Sequence, residues 1–325
     1  MARRLAGLLG ALALAAASSA RAAPRAPPAA TPPSYVFDLA TAGGLSESTW
    51  ATIAYDRGHD ELFATYGGQV HLFNRAGMEY YAFGGDGDVG SVERVAPLES
   101  GDVLLLSRMM DQRVLLRCDF RGEKLGPFEL KKLPPAFSGF APDLVQALAG
   151  KVFLVETTAM RVVVADEQGE VLRTLELAPL VTKYDSALKL GMGGFWADAQ
   201  GRFFFTLPLS FTAFELSPGG ELRQFGARGS SPGKFNIVGA IATDERGTVF
   251  VLDRLRSVVL VFDRNLTFLL EFGYRGDGPE NLIAPYGLAV GNGKLFVSQA
   301  RERGVKVFQY PLPPAPPPPV SAVTM

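Results

Sequence analysis

The chain has 325 residues with a formal net charge of −1, and 47% of them are hydrophobic, with 36 glycines and 23 prolines. This composition is typical of a globular protein with many turns. The slightly acidic balance argues against general binding to a nucleic-acid backbone, which needs a basic surface. Cys118 is the only cysteine, so no disulfide can form within the chain, and we expect it to be a small buried residue.

The first 22 residues have the pattern of a secretory signal peptide. Arg3 and Arg4 form a short basic start, residues 5–17 are an apolar run, and Ala20-Arg21-Ala22 offers a cleavage site. The apolar run is short for a membrane span. Cleavage after Ala22 removes three arginines and no acid, which changes the formal charge from −1 to −4. We therefore expect an exported protein, periplasmic or extracellular, with no transmembrane segment after cleavage.

Proline-rich segments flank the region that can fold. Residues 23–33 form a Pro/Ala linker, and residues 311–325 form a Pro-rich tail. Both favour extended polyproline II, and neither can build a core. For the tail, the alternatives are a docking ligand and a disordered end, of which we favour the second. The folded domain is therefore predicted to span residues 34–310.

A glycine turn recurs through that domain at intervals of 43 to 51 residues. In two copies, at Asp198 and Asp244, the turn reads Asp-x-x-Gly, in which glycine supplies the positive φ that a hairpin turn requires. A period of this length indicates a repeat architecture. The six glycines are Gly58, Gly101, Gly150, Gly201, Gly247 and Gly293.

Two short runs of β-branched and aromatic residues follow each glycine, and a further turn then leads to an outer strand. The first runs are 62–65, 103–106, 152–155, 203–206, 249–252 and 295–297. The second runs are 70–73, 114–118, 162–165, 213–216, 258–262 and 305–308. Such runs between turns indicate strands. Four strands in each of six units predict an all-β fold, a six-bladed β-propeller of four-stranded antiparallel blades.

The last unit lacks its outer strand, because the chain passes from Tyr310 directly into prolines. A spare strand pattern, Ser34–Leu39, precedes the first unit. We predict that this N-terminal strand pairs with the last unit and closes the ring, which removes an open sheet edge.

The best-preserved copy of the repeat covers residues 225–262, and a second copy begins at Phe272. Its Phe-Gly opening, spaced glycines and Asp-x-x-Gly turn resemble the NHL repeat family. The matching positions include Phe225, Gly226, Gly229, Gly233, Phe235, Ile241, Ala242, Asp244, Gly247, Val251, Asp253, Val261 and Phe262, then Pro285, Gly287, Leu288, Ala289 and Val290. Arg256, Val258 and Val238 depart from the family pattern, and units two to four match only in spacing and apolar pattern. The resemblance implies a six-bladed propeller and, for exported bacterial members, binding roles.

Functional residues are expected on one face of the ring, around the central channel. Two sets of loops meet there: the leading loops, which enter each inner strand, and the 2–3 loops, which join the second and third strands. The leading loops carry the candidates Trp50, Glu93, Arg94, Asp143, Trp196 and Tyr286, and the 2–3 loops carry Arg108, Glu156, Arg254 and Arg301. Arginines, acids and aromatic rings together could hold an anionic or aromatic ligand or a partner peptide, although loop polarity is the alternative. The same loops carry Phe195, Tyr66, Asp111, Arg256, Gln299 and Asp253, of which Asp253 is expected to bind backbone amides.

A metal enzyme is the alternative to a binding protein. Related six-bladed folds include amidating lyases, lactonases and strictosidine-synthase-like enzymes, and the lyases use several histidines at zinc. Here only His59 and His71 occur, both predicted to lie away from the channel, which disfavours such a site. A carboxylate-bound divalent metal, Ca²⁺ at Glu93, Asp143 and Glu156, would make a hydrolase or lyase. We expect instead a monomer without a cofactor that binds a protein partner or small ligand and no nucleic acid.

Overall fold

The computed structural model describes residues 31–39, 51–85, 87–300 and 304–310. The predicted signal peptide, the linker up to residue 30 and the Pro-rich tail lie outside the described residues, as do the candidates Trp50 and Arg301. In the described ranges no helix is long and apolar enough to span a bilayer.

Strands of four to seven residues form six sheets, each with four antiparallel strands, within the described residues. Blade 1 contains β2 (Thr52–Asp56), β3 (Glu61–Tyr66), β4 (Gln69–Phe73) and β5 (Glu79–Gly84). Blade 2 contains β6 (Ser91–Pro97), β7 (Val103–Met109), β8 (Gln112–Cys118) and β9 (Lys124–Pro127). Blade 3 contains β10 (Leu144–Leu148), β11 (Lys151–Glu156), β12 (Arg161–Asp166) and β13 (Val171–Glu176).

The second half of the ring follows the same order. Blade 4 contains β14 (Gly194–Ala197), β15 (Phe203–Leu207), β16 (Thr212–Leu216) and β17 (Leu222–Phe225). Blade 5 contains β18 (Val238–Thr243), β19 (Val249–Asp253), β20 (Val258–Phe262) and β21 (Phe268–Gly273). Blade 6 contains β22 (Pro285–Gly291), β23 (Lys294–Gln299), β24 (Val305–Gln309) and the N-terminal β1 (Ser34–Asp38). The prediction of a six-bladed, all-β propeller is confirmed. The six first runs lie inside the second strands of the blades, and the six second runs lie inside the third strands.

The ring closes as predicted, through the N-terminal strand. β1 pairs antiparallel with β24, with Ser34 opposite Gln309 and Asp38 opposite Lys306. The first and last strands of the propeller are therefore hydrogen-bonded to each other in one blade, and the inner strands β22 and β2 are in contact across the seam. No blade boundary is left open among the described residues.

The core lies between neighbouring blades, where apolar faces of adjacent sheets pack together. One cluster joins blades 3 and 4 through residues such as Phe153, Phe203 and Phe214. Side chains of second strands also bind the next blade: Thr206 Oγ1 of β15 donates to Gly239 O of the inner strand β18 at 2.7 Å, and Ser298 Oγ of β23 donates to Ala51 O, directly before β2, at 2.7 Å. These bonds hold the inner strand of one blade against the second strand of its neighbour.

The six glycines do not make one kind of turn, which corrects the single-turn prediction. In blades 2, 4 and 5 the glycine is the left-handed residue of a three-residue hairpin loop, as at Gly201 with φ 77°. In blades 3 and 6 two consecutive residues have positive φ, as at Asn292 and Gly293. In blade 1 the left-handed residue is Asp60, with φ 57°, and Gly58 has no positive φ. There the Asp56 carboxylate accepts a hydrogen bond from Gly58 N at 2.8 Å, and the left-handed residue, Asp60, comes two positions after the glycine.

Three helical segments were not predicted from the sequence. Helix α1 (Leu177–Tyr184) connects blades 3 and 4 and buries Leu177 and Val181 against their shared core. Pro179 lies in the first turn of the helix, where backbone amides have no acceptor within the helix. The N–H that proline lacks therefore costs no helical hydrogen bond. Short 3₁₀ turns lie at Pro135–Phe137 and Pro208–Ser210.

Candidate functional site

The inner strands of all six blades line a central cavity of about 190 Å³. The strand registers show which loops surround one end: Ser91 is opposite Arg108, and Val238 is opposite Asp253. Leading loops and 2–3 loops therefore lie on the same face, named here the channel face. Four candidates, Arg94, Trp196, Arg254 and Tyr286, line the cavity, and its described lining includes no aspartate or glutamate.

Arg254 reaches the channel from the tip of the blade 5 hairpin. Its alkyl chain crosses Gly239 so closely that a Cβ there would lie 2.8 Å from Arg254 Cδ. Its guanidinium lies 5.1 Å from the centroid of the Tyr286 ring in blade 6, a cation–π contact. Gly239 therefore has a specific purpose, because any side chain at this position would displace the arginine.

Arg94 lines the cavity from blade 2, where a bulge in β6 separates Val92 from Arg94. Its side chain is half-buried and has no hydrogen-bond or ion-pair partner among the described residues. Blades 2 and 5 are three positions apart in a ring of six, so Arg94 and Arg254 approach the channel from opposite sides. An anionic group entering the channel would thus meet two guanidinium groups, and the described lining adds no carboxylate to compete with it.

Trp196 holds a fixed orientation between blades 4 and 5, because its indole Nε1 donates to Thr243 Oγ1 at 3.0 Å. The side chain is half-buried and forms part of the cavity wall. Two glycines precede it, and a Cβ on Gly194 would lie 2.5 Å from Gly239 O. The glycines let the inner strands of blades 4 and 5 approach each other, a signal that the sequence contained in Gly193-Gly194 and Gly239 and that sequence reasoning missed.

The other described candidates are held by local partners. Arg108 Nε donates to Glu93 Oε1 at 2.8 Å, and Arg113 Nε donates to Glu93 Oε2 at 2.7 Å. Burial alone would raise the pKa of Glu93, but the bonds from Arg113 and Arg108 outweigh it and lower that pKa. Thr157 Oγ1 donates to Asp143 Oδ2 at 2.6 Å, and Arg161 Nε donates to Glu156 Oε2 at 2.7 Å.

Glu93, Asp143 and Glu156 are therefore not brought together by the structure. Among the described residues, no three His, Cys, Asp or Glu side chains are grouped so that they could hold a metal ion. His71 binds Glu79 with 2.6 Å between Nδ1 and Oε1, and its ring stacks on Tyr66. His59 lies in the strand 1–2 turn of blade 1, on the face opposite the candidate loops.

Asp253 binds backbone amides, as predicted. Its carboxylate accepts hydrogen bonds from the backbone amides of Asn236 at 2.6 Å and Arg256 at 3.0 Å. These bonds connect the leading loop of blade 5 to its 2–3 loop. Phe195, by contrast, is buried in the core between blades 3 and 4. Phe195 also contributes to the cavity lining, but most of its ring is buried in the core.

The other end of the channel contains an arginine that sequence reasoning did not identify. Arg57 Nη2 donates to Thr243 O at 3.0 Å and to Val290 O at 3.1 Å, and Arg57 Nε lies 3.2 Å from Glu245 Oε1. These acceptors stand at the ends of the inner strands of blades 5 and 6. Arg57 therefore bridges blades 1, 5 and 6. We name this end of the ring the opposite face, because it lies across the ring from the channel face.

The fold and the site together define a six-bladed β-propeller with a narrow channel whose described lining includes two arginines and the large aromatic side chains of Trp196 and Tyr286. No protein-family model matches the chain, and no curated protein matches its sequence. Membership of the NHL repeat family therefore stays a prediction.

Solved structures show the same fold at low identity. Virginiamycin B lyase from Staphylococcus aureus is similar at 12% identity with a TM-score of 0.57, over 85% of this chain and 98% of that chain. YCF48 from Cyanidioschyzon merolae is similar at 14% identity with a TM-score of 0.56, over 85% and 98%. A Bacteroides thetaiotaomicron protein of unknown function is similar at 13% identity with a TM-score of 0.54, over 84% and 71%. At these identities the likeness extends to the fold alone.

Proposed function

We propose that this chain is an exported, non-catalytic β-propeller that binds a ligand or partner at the channel face by means of an anionic group. One observation carries the proposal: Arg94 of blade 2 and Arg254 of blade 5 line the same cavity, and the described lining has no carboxylate. Guanidinium groups recognise carboxylates through charge-assisted, bidentate hydrogen bonds. Tyr286 lies against Arg254, and Trp196 adds flat apolar surface to the same cavity. Export is supported by the signal-peptide pattern of residues 1–22.

The cavity size limits what can enter. A volume of about 190 Å³ is well below the ~300–1,000 Å³ of pockets that enclose drug-sized ligands. A carboxylate with a few attached carbon atoms fits this space. The proposed ligand group is therefore small, whatever molecule carries it.

The metal-dependent hydrolase or lyase is less well supported by the geometry. Each of the three carboxylates suggested for it has a protein partner of its own, and none of the three lines the cavity. The likeness to virginiamycin B lyase, at 12% identity, extends to the fold alone. Metal analysis of the purified protein, with thermal shifts against Ca²⁺ and Zn²⁺, would test this alternative directly.

Trp196 gives a direct readout of channel binding. The chain has two tryptophans, so Trp50→Phe leaves Trp196 as the sole indole fluorophore. We expect acetate and benzoate to change its emission saturably at constant ionic strength, and acetamide and benzamide to have no such effect. Arg94→Gln should weaken carboxylate binding at least ~10-fold, because a hydrogen bond to a charged group contributes about 1.5–3 kcal/mol.

The matched control is Arg121→Gln, which removes an arginine that lies over Phe120 on the opposite face. It should leave carboxylate binding unchanged. The absence of a saturable response to any carboxylate, or an Arg94→Gln protein that binds like its parent, would overturn the proposal.

A further inference from the structure

Among the described residues, the 2–3 loops of three blades carry large apolar side chains that project into solvent. Met110 of blade 2 is 98% exposed, Leu209 of blade 4 is 68% exposed, and Leu255 of blade 5 is 63% exposed. Each stands at the tip of its hairpin, on the channel face. Single exposed apolar residues are common on protein surfaces. Here, however, three occupy equivalent positions around one opening, and we name them the apolar tips.

The inner turns around the other end of the channel are different, and exposed apolar residues of that face such as Met78 and Phe120 lie in the outer turns between third and fourth strands. The inner turns join the first and second strands and carry mainly polar residues, such as Glu99 and Ser100 in blade 2, Gln200 in blade 4, and Glu245 and Arg246 in blade 5. The apolar tips therefore belong to the face that also carries Arg94 and Arg254. A ligand confined to the 190 Å³ cavity would not extend over hairpin tips on blades on both sides of the ring.

The combination fits a protein surface better than a small molecule. Met, Trp, Tyr and Arg are enriched at protein interfaces, whose apolar contacts surround a few desolvated polar anchors. A partner that is complementary in charge presents an acidic side chain to the two arginines. The apolar tips are matched by a partner that has apolar residues around this acidic side chain, because these residues can then contact the tips.

Building on the proposed function, we infer that the channel face binds a protein partner that inserts an aspartate or glutamate side chain between Arg94 and Arg254. Met110, Leu209 and Leu255 contact apolar residues that flank this side chain on the partner. The cavity selects the carboxylate, and the apolar tips distinguish a protein from a free carboxylate ion.

Capped synthetic peptides test this inference, because acetylation and amidation remove their terminal charges. The probes are a glutamate flanked by leucine and tyrosine, the same glutamate flanked by serines, and a glutamine flanked by leucine and tyrosine. Binding is measured by Trp196 fluorescence in the Trp50→Phe protein and by calorimetry. We expect the apolar-flanked glutamate to bind at least ~10-fold more tightly than either other peptide, which corresponds to about 1.4 kcal/mol.

Substitution of the tips separates the inference from the proposed function. The triple variant Met110→Ser, Leu209→Ser and Leu255→Ser should remove the advantage of the apolar flanks while leaving acetate binding unchanged. The matched control is Met78→Ser with Phe120→Ser, which removes apolar residues of similar exposure, 62% and 59%, on the opposite face. That control should bind every peptide as the parent does.

Equal binding of the apolar-flanked and serine-flanked glutamate peptides would overturn the inference in favour of a small carboxylate ligand. Binding of acetate but of no peptide would do the same and would leave the proposed function intact. Failure of the parent protein to bind acetate, benzoate or any peptide would overturn both.

Discussion

Arginine serves different purposes at the two ends of the channel. On the opposite face, Arg57 has two backbone carbonyls and a carboxylate as partners and joins blade 1 to blades 5 and 6. On the channel face, Arg94 is half-buried in the cavity wall and has no such partner among the described residues. A guanidinium whose donors are already satisfied stabilises the ring, whereas one with unused donors is available to a ligand. Its partners assign Arg57 a structural role, and the lack of such partners within the described ranges is why we propose Arg94 as a binding residue.

Both faces depend on the closed ring, so its disruption should have the largest effect. Deleting Ser34–Leu39 exposes the edge of β24 and removes Phe37, which packs in the cluster shared by blades 6 and 1. We expect aggregation or a fall in melting temperature of at least ~10 °C, since each kcal/mol shifts the melting temperature by roughly 2–4 °C in chains of 150–250 residues. Thermal unfolding with light scattering measures both.

Deletion of six residues from the linker, Pro24–Ala29, is the matched control and should leave melting unchanged. If the protein without Ser34–Leu39 melts like the intact one, the N-terminal strand does not stabilise the ring.

The second prediction compares the two arginines directly. Arg57→Ala should lower the free energy of unfolding by roughly 2–4 kcal/mol, because it removes several hydrogen bonds from a charged group at a junction of three blades. Arg94→Ala should change it by no more than about 0.5 kcal/mol, since no hydrogen bond or ion pair among the described residues is lost. Urea unfolding at neutral pH measures both variants, and Arg57→Lys, which keeps the charge but not the planar fork, should give an intermediate value. Equal losses from Arg57→Ala and Arg94→Ala would remove the distinction between the two ends.

The sequence predicted the blades well because strand patterns and turn glycines are local signals. It predicted Arg94 on a leading loop, whereas the structure has Arg94 inside β6, and Arg254 directly follows β19 as expected. It could not identify Arg57, whose carbonyl acceptors on Thr243 and Val290 are 186 and 233 residues away. Nor could it show that Glu93 turns toward Arg108 and Arg113, because the direction of a side chain next to a bulge depends on its partners.

Two aspartates on the opposite face extend the comparison to buried carboxylates. Asp198 and Asp244 occupy the same position in the turns of blades 4 and 5, and each accepts two turn amides through Oδ1. Arg202 Nε donates to Asp198 Oδ2 at 2.7 Å. The corresponding residue in blade 5 is Thr248, and Asp244 Oδ2 is buried without a hydrogen-bond partner among the described residues. Asp198 is thus paired with an arginine through Oδ2, whereas Asp244 Oδ2 has no such partner among the described residues.

We therefore expect opposite results from the same substitution. Asp198→Asn should lower the free energy of unfolding by about 1–3 kcal/mol, because it leaves a largely buried Arg202 with one fewer anionic partner. Asp244→Asn keeps the turn acceptor and removes only an unpaired charge, so at neutral pH it should be neutral or stabilising by up to about 1 kcal/mol. Urea unfolding of both variants at pH 7 measures this difference.

The pH dependence gives an independent check on Asp244. Burial raises its pKa, and hydrogen bonds from Thr248 and Arg246 oppose this only in part. The folded state therefore holds the proton more tightly than the unfolded state, whose aspartate pKa is about 3.9. The corresponding stability is fully present below that value and is lost as pH rises through the folded pKa. Any advantage of Asp244→Asn over the parent should consequently shrink on acidification from pH 7 to pH 4. A variant that is less stable than the parent at pH 7, by as much as Asp198→Asn, would show instead that Asp244 Oδ2 has a stabilising partner such as a buried water.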